Sequence, residues 1–430
     1  MIPLKFNKRS HIFLTGAIAF LLPAYPVMLA PVIVLLTINW LCTPKLIFPG
    51  LKNNINNPSL LLMILFYTLY LAGMLYSDNS KFGYETIETK LSFLIFPLVF
   101  SPYAQTCKNN LNKYLKLFIY GCTVNAVVCF VWAAYRFFKP VYVTLYGIPY
   151  DLGASYFYYI QLSVFLHPSY IAMYSVFALA ALMHLVNIGE LKLNWKWYTS
   201  IVLLVVFILL LSSKAGWISL FLFLLYFFRS LLMKKRIKQV VLMFGLLTGL
   251  FFIFNIYFTP KFLTRIPKLL VLTEVLKGSN DENKKVTTST DGTGSRILVW
   301  KAATEIIKSN FWIGVGTGDA KDKMLEKYKE KEMVTEFENR LNSHNQFLNT
   351  FIALGVFGFT ALLLCFVVPL YILYQKKMTL AIAFICIVGV NFLFESMLET
   401  QYGVIFYAFF NSILLFSSKN DSDKENLLVN

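Results

Sequence analysis

Apolar runs long enough to cross a lipid core recur along the chain, separated by short polar connections. They fall at 12–23, 27–42, 59–76, 91–104, 114–138, 164–186, 197–212, 215–233, 239–258, 345–374, 378–394 and 399–416. A helix needs about 20 apolar residues to span a core of about 30 Å, so this pattern predicts transmembrane helices. One interval is different: Thr259–Ser343 is long and polar, and divides nine runs from three. The first pair is ambiguous, because Pro23, Pro26 and Pro31 interrupt a continuous apolar stretch from His11 to Leu41. One kinked helix and two short helices in a tight hairpin both fit. Proline disrupts a helix interior, which favours the hairpin. The stretch is followed by no small-residue cleavage site and does not read as a removed signal peptide. The expected fold is therefore an all-α polytopic membrane protein of about twelve transmembrane helices, with one large loop containing short helices.

Composition agrees with lipid as the solvent. Hydrophobic residues make up 57% of the 430 and charged residues 14%, against about 25% charged in ordinary soluble domains. The net charge of +17 would suit nucleic acid if it were clustered in one polar domain. Its distribution says otherwise. With the N-terminus in the cytoplasm, the cytoplasmic connections hold 19 Lys and Arg and the short outer ones five, the asymmetry that orients membrane proteins. The long loop carries 15 basic and 12 acidic residues and is nearly balanced. Charge is thus a topology signal, and no nucleic-acid partner is implied. The organisation expected is 1–258 with helices one to nine, 259–343 as the large outer loop, 344–416 with helices ten to twelve, and 417–430 as a cytoplasmic tail.

The six cysteines lie in or beside the spans, with no disulfide framework and no metal-ligand spacing. Polar motifs gather instead at the outer ends of the helices. Asn342-Ser343-His344-Asn345 closes the long loop. Asn342 or Ser343 is a candidate cap for the following helix, which would put His344 in its first turn. The positive end of the helix dipole there favours an uncharged ring able to act as a base. An interfacial histidine bonded to a carbonyl is the plainer reading. Ser295-Arg296 opens a stretch in which Ile297, Trp300, Ala303 and Ile307 recur at helical spacing, an amphipathic helix expected to lie on the membrane surface. Arg296 there is either a phosphate-binding fork or a solvated headgroup contact. Lys214, in a polar break between two apolar runs, is either an anion ligand or a snorkelling lysine. His167-Pro168 opens a helix, with proline suited to its first turn. Glu395 and Glu399, near the top of the last two spans, are either functional buried carboxylates or plain partners of basic residues. Gly314-Val315-Gly316-Thr317-Gly318 does not fit a dinucleotide fingerprint and reads as a flexible turn.

Taken together, these segments resemble the O-antigen ligase family, which shares a superfamily with the O-antigen polymerases. The likeness rests on Arg296 with Trp300, on Phe311-Trp312-Ile313-Gly314-Val315-Gly316, and on Ser343-His344-Asn345 leading into Leu354-Gly355-Val356-Phe357-Gly358. The segments around Lys214 and His167 also look familial. The resemblance implies a metal-independent glycosyltransferase with no cofactor, embedded in the bacterial inner membrane with its site facing the periplasm. It implies a glycan donor on undecaprenyl pyrophosphate and a sugar acceptor on lipid A–core or another glycan. His344 would be the base and Arg296 the pyrophosphate ligand, with Lys214, His167, Asn345 and Ser343 binding substrate. Lys214 departs from the arginine usual at its position, keeping the charge but losing the planar fork. A polymerase using the same cavity is the nearest alternative. A transporter of lipid-linked glycan is a more distant one, because charges sit at span ends and no repeated halves are visible.

Overall fold

A computed structural model describes residues 4–54, 57–139, 143–145, 148–150, 156–233 and 292–418. The run expected at 239–258, the polar stretch from Val275 and the first part of the long loop lie outside the described residues. The other eleven apolar runs each coincide with a helix.

The opening stretch is a hairpin. Helix α1 (Leu4–Ala24) and α2 (Leu29–Leu41) are separated by the turn at Tyr25 and Pro26. Their far ends are tied together, with Asn7 Nδ2 donating to Asn39 O at 2.8 Å and Asn39 Nδ2 to Asn7 Oδ1 at 3.0 Å. Next come α3 (Pro44–Asn54), α4 (Pro58–Gly73), α5 (Ser80–Lys90) and α6 (Ser92–Phe100). Two features differ from expectation here. The connection after α4, expected on the outer side, contains α5, and the connection expected after residue 104 is helical. It forms the start of α7 (Ala104–Phe138), 35 residues long. At 1.5 Å per residue α7 extends roughly 52 Å, well beyond a lipid core. Lys108, Lys113 and Lys116 lie in its first half.

A two-stranded antiparallel pair, β1 (Val143–Leu145) and β2 (Ile148–Tyr150), follows with Val143 opposite Tyr150. The chain continues through α8 (Pro168–Asn187), α9 (Trp195–Leu210) and α10 (Lys214–Met233). After the undescribed segment come α11 (Gly292–Ser309), α12 (Ala320–Glu330) and α13 (Val334–Glu338). Three more complete the fold: α14 (Gln346–Gln375), α15 (Thr379–Phe394) and α16 (Gln401–Ser417).

Helices α8 and α16 form the centre and are buried along nearly their whole lengths. Aromatic rings fill the junction of α7, α8, α15 and α16. Phe118 and Phe177 lie 4.7 and 4.9 Å from Phe410, and Phe177 lies 5.0 Å from Phe384, all as edge-to-face pairs. The outward faces are apolar too. Val34, Leu35 and Ile38 on α2, Val124, Val127 and Val131 on α7, and Phe221 and Leu225 on α10 are exposed. A patch of that extent in water would drive association, and here it marks a protein that lives in lipid. Among the described residues, four helical stretches are long and apolar enough to cross a membrane. They are Pro58–Tyr76, Ser80–Phe138, Pro168–Asn187 and Gln346–Gln375. Pro26–Leu41 and Pro44–Lys52, bent by 91°, make a fifth if counted together.

Helix α14 is broken near its start, at Gly355 (φ 61°, ψ −158°). The break leaves backbone groups of both halves without helical partners, and the glycine turn after α11 supplies them. Val315 N donates to Ile352 O at 2.9 Å, Gly316 N to Ala353 O at 3.0 Å, and Val356 N to Phe311 O at 2.8 Å. Gly314 (φ 74°) and Gly316 (φ 106°) adopt left-handed backbone to make this approach. The turn is therefore not flexible as expected: it plugs the break. Thr317 extends the anchorage by donating its hydroxyl to Tyr70 O at 2.7 Å. Asp319 accepts from Asp78 N at 2.9 Å and Asn79 N at 2.8 Å, ahead of α5. The plugged break fixes α11 against α14, and those two elements carry Arg296 and the His344 segment.

Candidate active site

The cap of helix α14 lies two or three residues beyond the expected Ser343 or Asn342, and this moves His344 out of the helix. The cap is Asn345, whose Oδ1 accepts from Leu348 N at 3.1 Å. His344 precedes it with φ 44°, a left-handed conformation. Asn342 Oδ1 holds it there by accepting from His344 N at 2.9 Å. The dipole of α14 therefore does not govern the ring directly. The ring's immediate neighbour is a carboxylate.

That carboxylate is Glu395, the residue ending α15. Its Oε1 lies 2.8 Å from His344 Nδ1, and its Oε2 lies 3.8 Å from an Arg296 guanidinium nitrogen. Burial pushes the Glu395 carboxyl up, but the hydrogen bond with His344 and the fields of His344, Arg296 and His167 together hold it below the usual carboxylate range. An ionised Glu395 accepting from Nδ1–H selects the tautomer in which Nε2 carries the free lone pair. This is the orienting logic of a nucleophile–base–acid triad, with the glutamate as orienter.

Arg296 sits in the first turn of α11, half-buried. Its neighbour Ser295 is buried and donates to Glu336 Oε1 at 2.7 Å. Val299, Ala302, Ala303, Ile306 and Ile307 are buried, so the apolar face of α11 packs against α12 and α14 instead of lying on the lipid surface. Trp300 fixes the helix to the His344 segment by donating Nε1–H to Ser343 O at 2.8 Å.

The remaining sequence candidates fall into two groups. Ser343 is fully buried; its hydroxyl donates to Asn345 O at 2.8 Å and sits 3.2 Å from Ser396 Oγ. Asn345 uses its carbonyl as the cap and donates Nδ2 to Leu393 O at 3.2 Å. Both are buried next to His344 in the chain, and these hydrogen bonds hold the segment that presents it. His167 and Lys214 are exposed. His167 caps α8, its Nδ1 accepting from Ser169 N at 3.4 Å. Desolvation lowers its affinity for a proton, against the opposing field of Glu395. Lys214 opens α10, which packs against α8 and α15, the helices bearing His167 and Glu395. Helix alternation places Lys214 at the same end of the bundle.

Glu395 is the residue whose importance the sequence understates. Its one signal is the break Glu395-Ser396-Met397-Leu398-Glu399 between two apolar runs. Sequence spacing cannot reveal that it joins His344, 51 positions away. Among the described residues no group of three or more His, Cys, Asp or Glu could hold a metal ion. The chemistry available to these side chains is proton transfer at His344 and anion binding at Arg296 and Lys214.

No curated protein matches the chain. Residues 199–363 match the family model described as O-Antigen ligase. That segment carries Lys214, Arg296 and His344, and it is over residues 199–363 that the chain is similar to the O-antigen ligase family.

Proposed function

We propose that the protein is a glycosyltransferase of the inner membrane that moves a glycan from undecaprenyl pyrophosphate to a sugar hydroxyl of lipid A–core, working on the periplasmic side. One observation carries the reading: a single carboxylate, Glu395, engages the ring of His344 at 2.8 Å and the guanidinium of Arg296 at 3.8 Å. A base and an anion ligand are thereby fixed relative to each other at the end of the helices.

In this reading Nε2 of His344 accepts the proton of the acceptor hydroxyl as its oxygen attacks the anomeric carbon of the donor sugar. The bond from that carbon to the pyrophosphate oxygen breaks, and its electron pair leaves with the pyrophosphate. Charge grows on the departing oxygens, and that is where a fixed cation lowers the barrier. Arg296 has five N–H donors, so its loose contact with Glu395 leaves others for phosphate. Lys214 adds a point charge on the same side. Positioned general bases contribute about 10²–10⁴-fold to a rate, and His344→Ala in purified protein is expected to lose that much turnover. Full activity in that variant would remove the base role. Deletion of the gene tests the reaction itself. Bare lipid A–core with long glycan stranded on the carrier is the expected result. Core bearing a single repeat unit would establish a polymerase instead, and an unchanged glycan ladder would overturn both.

A further inference from the structure

A cavity of about 260 Å³ lies behind the His344 segment, apart from the residues assigned above. None of His344, Glu395, Arg296 and Lys214 lines it. Asn342 and Asn349 do, and both reach the base's support: Asn342 Oδ1 accepts from His344 N at 2.9 Å, and Asn349 Oδ1 lies 3.5 Å from Ser343 Oγ. The cavity is thus a neighbour of the catalytic constellation with a shared polar wall.

Its lining divides by burial. At the buried end Lys90 and Glu399 are paired at 3.2 Å, Lys90 Nζ sits 4.5 Å from the centre of the Tyr70 ring, and the amides of Asn342 and Asn349 complete the polar lining, with Gln346 bracing Glu399 from outside it. This end is locally neutral, rich in donors and acceptors, and bounded by an aromatic face. Those are the groups that recognise a sugar ring: hydroxyls for the amide and carboxylate oxygens, ring C–H groups for the aromatic. The mouth is different. Lys321 and Arg340 are exposed there beside Glu85, and neither cation forms an ion pair among the described residues. The volume is a little under the range of about 300–1,000 Å³ that holds drug-sized ligands. That suits one sugar ring with a substituent and not a glycan chain.

We propose that this cavity seats the terminal sugar of the acceptor, and that Arg340 and Lys321 bind an anionic substituent on it, phosphate or carboxylate. The acceptor role rests on the glycosyl-transfer reading above; the binding does not. The shared Asn342 wall would bring a hydroxyl of the seated sugar towards the His344 side while the pyrophosphate is held separately at Arg296.

The test uses the full chain in detergent with glucose, glucose 6-phosphate and glucuronate as probes, followed by ligand-observed NMR titration. Glucose 6-phosphate and glucuronate are expected to bind more tightly than glucose by about 10- to 100-fold, the worth of one hydrogen bond to a charged group. Arg340→Gln with Lys321→Gln should abolish that advantage, whereas Arg296→Gln should leave it intact. In a transfer assay the same double variant should raise KM for the acceptor and leave KM for the donor unchanged. Absence of saturable binding, or loss of the advantage in Arg296→Gln but not in Arg340→Gln, would overturn the proposal. Binding that depends on Arg340 in a protein that transfers no glycan supports the cavity and sinks the transferase reading alone. Transfer that survives with an unchanged acceptor KM in the double variant does the reverse.

Discussion

Gly314 is the position where a single methyl group should do most harm to the site without touching it. A Cβ there would lie 2.5 Å from the carbonyl carbon and oxygen of Ala353 and 2.5 Å from Gly355 N. All three are backbone atoms, so no side-chain rotation can relieve the clash. The left-handed backbone itself (φ 74°) adds about 1–2 kcal/mol for any residue with a Cβ. If the turn backs away from α14, the three hydrogen bonds that plug the break are lost at about 1 kcal/mol each. Gly314→Ala should therefore cost about 4 kcal/mol, combining the backbone and hydrogen-bond contributions. Gly389→Ala is the matched control, because its Cβ would meet only Phe366 at 3.8 Å, an ordinary contact inside a helix. Alanine there should be neutral or stabilising by up to about 1 kcal/mol. Thermal unfolding followed by tryptophan fluorescence in detergent compares the two, and Trp312, 68% exposed beside the turn, is a local reporter. A drop of about 8–16 °C is expected for Gly314→Ala alone, given roughly 2–4 °C per kcal/mol in mid-sized domains. If the two variants melt together, the plugged break contributes nothing and the argument fails.

Two other perturbations read the charged groups. Lys90 and Glu399 form a pair in which the lysine side chain is 1% exposed and the glutamate 19%. Breaking such a pair costs about 3–5 kcal/mol when the remaining charge stays buried. Glu399→Gln should accordingly destabilise more than Lys90→Met, with the double variant partly recovering; equal or reversed losses in chemical denaturation would contradict this. Acidification should lower stability in two stages. The folded protein disfavours protonated His167, so an unfolded chain binding protons below its ordinary 6.5 is favoured as pH falls through that value. The Glu395 carboxyl is held below its ordinary 4.5, so its contribution is present above that value and is lost as pH falls through the lower folded one. Melting temperature measured from pH 7 down to about 3, below the ordinary carboxylate value, in His167→Gln and Glu395→Gln should lose the first and second stage respectively. A melting temperature that rises on acidification would refute both assignments.

Periodicity made most of the helices legible, and proline chemistry made the α1–α2 hairpin legible, because both are local properties of the chain. The cap at His167 and the break before Lys214 were local too. What escaped is tertiary. The glycine turn looks like a loop because its partners, Ile352, Ala353 and Val356, lie some 40 positions away on a helix whose break shows only as one more glycine. Helix α11 looks like a surface helix because its apolar stripe is equally suited to lipid and to α12 and α14. The uninterrupted course of α7 through Lys108–Lys116 reflects helix-compatible polar residues that a hydropathy boundary treats as a connection. Glu395 became the hub of the site through one hydrogen bond that no spacing rule anticipates.

The left-handed backbone of His344 has a consequence for how substitutions there should be chosen. Asparagine and glycine tolerate that region, whereas alanine carries a backbone penalty and β-branched residues a larger one. A saturation library at this position would therefore sort along two axes, abundance in the membrane and turnover. Valine and isoleucine should fall on both, alanine on turnover with a modest loss of abundance, and asparagine and glycine on turnover alone. Asparagine, which keeps the fold and removes the imidazole, is the replacement that isolates the ring's chemistry from the geometry that presents it.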